Sequence, residues 1–419
     1  MRHPGLFPLP LPRPITAVAA AGLLLTLTAC GSGFDDSTAP ATQQSGPAQL
    51  KLMIASSGGA ELTAVQDATA KWAAGSAGSK VQVIAANDLP QQLSQGFAAG
   101  SPPDVFAVDA TKFQGYADEM LPYGDSVSYK DDLYPTLRTT FTKDGKLYCV
   151  PKDFSTLALA INTDQWAAAG LTDKDIPKNW DQLKAAAQKL TTGGHTGLVF
   201  NDTRDRVGAF LVQAGGWPLD ADQKKATADT PQNLQGLTYV RDLLASGVAK
   251  YPKQIGAGDS GEAFGLGKAA MSVDGNWMVG GMTKDYPNVK YQVVPLPAGP
   301  AGAGTLSFTQ CWGIAAKSKF QDQAKQLVDA LMQPQQELAF AKTFGVMPSR
   351  QSARAQYQQQ FPQQAAFLAG ADSAHGPVTL TKMDPVLTDF DAQIQQLPGA
   401  DPKHILQQLQ TNTTAALGQ

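Results

Sequence analysis

The stretch Leu147-Tyr148-Cys149-Val150-Pro151-Lys152-Asp153-Phe154-Ser155-Thr156-Leu157-Ala158-Leu159-Ala160-Ile161-Asn162 sits between two long regions that each read as an α/β sheet. A short extended run precedes Pro151, polar residues follow it, and Leu157, Leu159 and Ile161 resume a strand. Proline cannot donate to a ladder, so a break at Pro151 followed by a second extended run suits a chain leaving one sheet for another. A bound molecule is expected beside such a crossing.

Working outward, Leu50–Ile54, Val81–Ile84 and Asp104–Asp109 read as strands, separated by helical patterns around Leu62–Trp72 and Gln91–Ala99. Strand and helix alternating in this way imply a parallel sheet. Ligands of open α/β sheets bind beyond the carboxyl ends of the strands. Those ends carry Ser57, Asn87 and Asp109 here. Beyond the crossing the pattern repeats in kind. Asn179 with Gln182 caps one helix, Gly197–Phe200 is a strand ending at Asn201 and Arg204, and Thr230-Pro231 opens another helix. Ala269–Val273 is a strand turning at Asp274-Gly275-Asn276-Trp277, and Leu306–Ile314 is a second crossing that returns the chain to the first sheet.

At 419 residues, 43% hydrophobic and 16% charged, the chain can bury two cores. A net charge of −3 spread without long same-sign runs argues against a nucleic-acid partner. The histidines at 195, 375 and 404 lack metal-ligand spacing, and no phosphate loop is present, so neither a metal nor any other cofactor is expected. Gly258-Asp259-Ser260-Gly261 superficially echoes a protease nucleophile loop without a suitable histidine segment, which makes an enzyme a poor reading.

Residues 1–29 form a basic head and a thirteen-residue apolar run, Ile15–Leu27, ending in Leu27-Thr28-Ala29-Cys30. This resembles a bacterial lipobox, which implies acylation of Cys30 and a lipid-anchored protein on the extracytoplasmic face of the cell membrane. Residues 30–48, rich in Ser, Thr, Gly, Gln and Pro, read as a flexible tether. Cys149 and Cys311 remain. They are either a disulfide, as an exported protein permits, or two buried thiols, and their places beside the two crossings favour the bond.

Several short motifs in order, among them Pro103-Asp104-Val105-Phe106 with Asp109, Gly145–Pro151, Asn179-Trp180-Asp181, Gly267–Met271 before Gly275-Asn276-Trp277, and Gly345–Arg350, resemble the extracellular solute-binding lipoproteins of carbohydrate ABC importers, with maltose-binding-protein architecture. The resemblance implies a two-lobed α/β fold of the periplasmic-binding-protein type II, each lobe a mainly parallel sheet flanked by helices and joined by crossing hinge segments. Lobe 1 would comprise 49–153 with 310–365, and lobe 2 would comprise 154–309 with 366–419.

It also implies a monomer that closes over a sugar and delivers it to the transmembrane subunits of a permease. A sugar presents apolar C–H faces and a belt of hydroxyls, so aromatic rings and polar side chains are the candidates. Trp277, Trp217 and Trp312 are stacking platforms or packing residues. Asp109 is a hydroxyl acceptor or a helix cap. Asp153 and Ser155 are crossing contacts or solvated hinge residues, and Asn276, Asn201 and Arg204 complete the set with Ser57 and Asn87. Alternatives are another polar solute, such as a polyol, glycerophosphodiester or polyamine, or a secreted glycan hydrolase. The hydrolase would need two carboxylates facing each other at about 5–10 Å.

Overall fold

The computed structural model describes residues 43–55, 59–76, 78–191 and 194–419. Cys30 and Ser57, with the leader and most of the tether, lie outside the described residues. The described strands are β1 (Gln49–Ala55), β2 (Lys80–Ala86), β3 (Val105–Asp109), β4 (Thr142–Lys143), β5 (Lys146–Leu147), β6 (Val150–Asn162), β7 (Thr196–Val199), β8 (Ala249–Lys250), β9 (Ala269–Gly275), β10 (Tyr291–Val294), β11 (Thr305–Ile314) and β12 (Ala374–His375).

Two parallel triplets, β2-β1-β3 and β9-β7-β8, flank the antiparallel pair β11 and β6. The two crossing strands join the triplets, β11 on the side of the first and β6 on the side of the second. β6 pairs through Val150–Thr156 with β11 and through Leu157–Ile161 with β9, while β11 pairs with β3 through Gln310–Ile314. All thirteen residues of β6 are buried, as a strand covered on both faces must be.

The period of two then divides its side chains. Leu157, Leu159 and Ile161 enter a core with Phe210, Leu237 and Leu387, whereas Phe154, Ala158 and Ala160 enter another with Met347, Tyr357 and Phe367. Val150 joins the core built around β1 and β3.

The break expected at Pro151 does not occur. Pro151 stays in the ladder opposite Cys311, and Asp153 pairs with Gln310, so Lys152 is left over as a β-bulge. The bulge absorbs the irregularity without ending the strand. Cys149 and Cys311 are joined by a disulfide across this point, with Cα atoms 5.7 Å apart.

The tether also ends earlier than expected. Gln44 donates its backbone N–H to the Lys319 carbonyl at 2.8 Å, and Ala48 is fully buried where it leads into β1.

A buried proton relay fastens β6 to the turn after the helix Pro334–Phe344. That helix stops at Gly345, whose φ of +81° suits a residue without a Cβ. Ser349 Oγ lies 2.6 Å from the Pro151 carbonyl and 2.8 Å from Glu337 Oε1. One hydroxyl proton cannot serve both acceptors, so the second proton must belong to Glu337.

Burial accordingly pushes the Glu337 carboxyl up to about 8, against the opposing pull of the Ser349 N–H, which donates to Oε1 at 3.0 Å. A carboxyl raised above its ordinary 4.5 stabilises the fold fully below that value, and the contribution is lost as pH rises through about 8. We expect Glu337→Gln, a neutral isostere, to gain on the wild type by a few kcal/mol between pH 4.5 and 8, at about 1.4 kcal/mol per unit of pH, and to hold a constant offset above that. Urea midpoints taken across this range check it, and a pH-independent difference would refute the relay.

Candidate ligand-binding cleft

The helix Arg204–Gln213 follows β7 and places Arg204, Gly208 and Leu211 at i, i+4 and i+7, on one face. That face looks across a cavity of about 400 Å³ toward Asp109, Thr111 and Lys112 at the carboxyl end of β3. Leu306–Thr309 of the second crossing, Trp217 and His375 complete much of the wall. Gly208 leaves room here, since a Cβ would meet Leu306 and Trp217 at 3.2 and 3.3 Å.

The charges of this cavity are largely paired. Lys112 Nζ reaches Asp384 at 2.5 Å, and Arg204 binds Asp391 through both its backbone N–H, at 2.7 Å, and its guanidinium. Lys112 precedes Phe113 of the β1–β3 core, whereas Asp384 precedes Val386 of the second core, so their ion pair spans the cleft. Asp109 Oδ1 accepts from Thr111 N–H at 2.9 Å and from its hydroxyl at 2.6 Å, a local turn at the cleft wall, while the helix that follows has Lys112 at its N-cap without a side-chain bond.

A second cavity, of about 530 Å³, opens at the ends of β7 and β9 and takes in Asn201, Arg206, Asp259, Glu262, Trp277 and Asp285. Arg206 lies over the Trp277 ring at 5.0 Å and pairs with buried Asp274 at 2.8 Å. Trp277 also meets Phe308 edge-on at 5.1 Å, so Phe308 faces the first cavity while Arg206 and Trp277 face the second. Trp277 nevertheless remains 42% exposed. Asn201 Oδ1 accepts from Ser260 N–H at 2.8 Å, a contact that holds the cavity edge.

Five candidates are placed elsewhere. Trp312 is 1% exposed and packs in the β1–β3 core, so it has no free face to stack on; Lys152 Nζ stands 5.6 Å from its ring centre. Asp153 is buried against the Lys152 ammonium, which also binds Glu61 at 3.0 Å. Burial drives the Asp153 carboxyl up and Lys152 pulls it down, while the two carboxylates together keep that lysine protonated.

Ser155 accepts from Asn276 N–H at 3.3 Å, and the Asn276 amide donates to the Gly345 carbonyl at 2.5 Å. These two side chains therefore tie β6, β9 and the Gly345 turn together, and neither lines the first or the second cavity. Asn87 is exposed outside the cavities.

The residues that were missed are instructive. Phe308 is one of two partly exposed positions, with Gln310, in an otherwise buried strand, a signal visible only once the pairing is known. His375 lies in the two-residue strand β12, too short for any periodicity.

A family model described as bacterial extracellular solute-binding protein matches residues 63–369. The chain belongs to that family. It is a family of binding proteins rather than enzymes, and among the described residues of this solute-binding protein no helix is long and apolar enough to cross a membrane. A putative binding protein of Brucella abortus is 26% identical over 307 residues, covering 69% of this chain and 72% of that relative. A diacetylchitobiose-binding protein of Streptomyces coelicolor is 23% identical over 348 residues, or 79% and 80% of the two chains. The cyclic α-maltosyl-1,6-maltose-binding protein of Arthrobacter globiformis matches with a TM-score of 0.80 at 22% identity, over 89% of this chain and 99% of that one. The sugar-binding protein of Xanthomonas citri gives 0.77 at 19%, over 88% and 97%. These likenesses establish the two-lobed fold for this solute-binding protein.

Removing one member of a buried ion pair strands the other, at a cost of about 3–5 kcal/mol. Arg206→Ala is expected to lose stability on that scale through Asp274, measured by denaturant unfolding. A loss below 1 kcal/mol would mean that Arg206 does not hold the Trp277 wall.

Proposed function

We propose that this solute-binding protein captures a neutral saccharide in the cleft between its lobes and hands it to an ABC permease. The observation that carries the reading is the first cavity. Apolar rings and alkyl groups form much of its lining, and its lysine and arginine are already matched by Asp384 and Asp391. A neutral polyol chain suits such a wall, because its C–H faces can pack on Trp217 and Phe308 while its hydroxyls meet Asp109, Thr111 and His375. A phosphate ester would call for unpaired cations instead. The relatives named for diacetylchitobiose and cyclic maltosyl-maltose support the same class.

On this reading, 49–153 with 310–365 and 154–309 with 366–419 move as the two lobes. The protein acts as a monomer held at the membrane by acylated Cys30. Closure requires that the ligand bind the closed form better than the open one.

The carboxylates of the second cavity favour a cationic solute, such as a polyamine, as a second reading. Two of them are engaged locally, however, since Asp259 caps the helix Ser260–Gly265 and Glu262 accepts from Gly258 N–H at 2.7 Å. This weighs toward the saccharide.

A thermal-shift panel of mono- and oligosaccharides, glycerophosphodiesters and polyamines tests both readings, because only a ligand of the native state raises the melting temperature. A saccharide is expected to raise it, and Trp217→Ala is expected to weaken that saccharide about tenfold, or 1.4 kcal/mol. A shift produced by polyamines alone would move the assignment to the second cavity.

A further inference from the structure

The first cavity continues past Trp217. A third one, of about 580 Å³, shares Trp217, His375 and Pro377 with it. One wall of this annex is the helix Pro135–Thr140 with Thr142, and the facing wall is the loop Asp220–Gln223. Phe141 beside the first wall packs in the β1–β3 core and Leu219 beside the second packs in the other, so the annex also spans the cleft.

Its chemistry is that of a hydroxyl-reading surface. The Thr140 and Thr142 hydroxyls donate to the carbonyls of Thr136 at 2.9 Å and Arg138 at 2.8 Å, which commits their protons and leaves their lone pairs as acceptors. Gln223 holds a left-handed backbone with φ +54°, unusual for a residue with a side chain. It is kept there by a bond from its N–H to the Asp220 carbonyl and by Thr379 N–H donating to its side chain, both at 2.9 Å. Such strain persists where the surroundings over-determine it, and it gathers at binding sites.

Between the two compartments stand the rings of Trp217 and His375, with centres 4.3 Å apart. His375 Nδ1 lies 2.7 Å from the Gly376 carbonyl, which can only accept. Nδ1 therefore carries the proton, and burial holds the ring toward its neutral form, with Nε2 an acceptor.

We infer that the ligand is a linear oligosaccharide of three or more units, threaded past the Trp217–His375 pair so that its further units occupy the annex. The inference rests on the saccharide reading above. Pockets for small ligands run to about 300–1,000 Å³. The first compartment alone falls near the bottom of that range, and the two together approach the top.

The test is calorimetric titration of the chain with one homologous series, from monosaccharide to tetrasaccharide, of the glycan type that raises the melting temperature. Affinity is expected to rise at least tenfold from the disaccharide to the tri- or tetrasaccharide. Thr140→Val and Gln223→Gly, which keep shape and backbone freedom respectively, should each weaken the tetrasaccharide at least fivefold more than the disaccharide. Equal affinities along the series, or equal losses in the variants for both lengths, would overturn the annex while leaving the saccharide reading intact. If no member of maltose-, chito-, xylo- or arabino-type series binds at all, the saccharide reading fails and this inference fails with it.

Discussion

The molecule depends on the antiparallel pairing of β6 with β11. β11 pairs with the first triplet through β3 and β6 with the second through β9, so the register of this one pair sets where the ends of the two parallel triplets fall relative to each other. A slip of one residue would exchange the faces of β6 and send Leu157, Leu159 and Ile161 out of their core. Several devices pin the register. The Lys152 bulge fixes the step at Gln310/Cys311, the disulfide joins Cys149 to Cys311 beside it, and the side chains of Ser349 and Asn276 bind the strand region to the Gly345 turn.

The same pair explains how polar groups can be buried at the centre of the molecule. Lys152, freed from the ladder by the bulge, places its ammonium against Glu61 and Asp153 and near the rings of Trp312 and Phe344. Buried charges of this kind contribute little net stability against apolar replacements, but each strongly constrains where its partners lie. The charges of the hinge and of the first cavity's lysine and arginine are matched by carboxylates. The floor of the first cavity is left to Leu306, Phe308 and Trp217. A cleft of this type discriminates by shape and hydroxyl pattern rather than by the ligand's charge.

Much of this was legible in the residues themselves. Alternating strands and helices on either side of 147–162 gave the two sheets, and Asn179, Thr230 and Pro334 marked helix starts where the structure has them. Asp109 and Arg204 are brought to the first cavity, and Asn201 and Trp277 to the second, because a residue just past a parallel strand must emerge at its carboxyl end, whereas Trp217 reaches the first cavity from the loop after the helix Arg204–Gln213. That rule does not reach the crossing strands, which run through the interior. Asp153, Ser155 and Trp312 could be read from the sequence either as ligand contacts or as hinge and packing residues, and burial on both faces of the crossing puts them in the framework.

What the sequence determined by itself is local: the period of each element, the caps, the alternation of strand and helix, and the repetition of that pattern on either side of a crossing. These follow from contacts between residues a few positions apart. Tertiary structure alone decided which crossing residues are masked, that Pro151 stays within a continuous strand, and that His375 from a two-residue strand meets Trp217 at the join of two compartments. Those outcomes depend on strand register and on contacts between residues more than a hundred positions apart, and local periodicity carries no information about either.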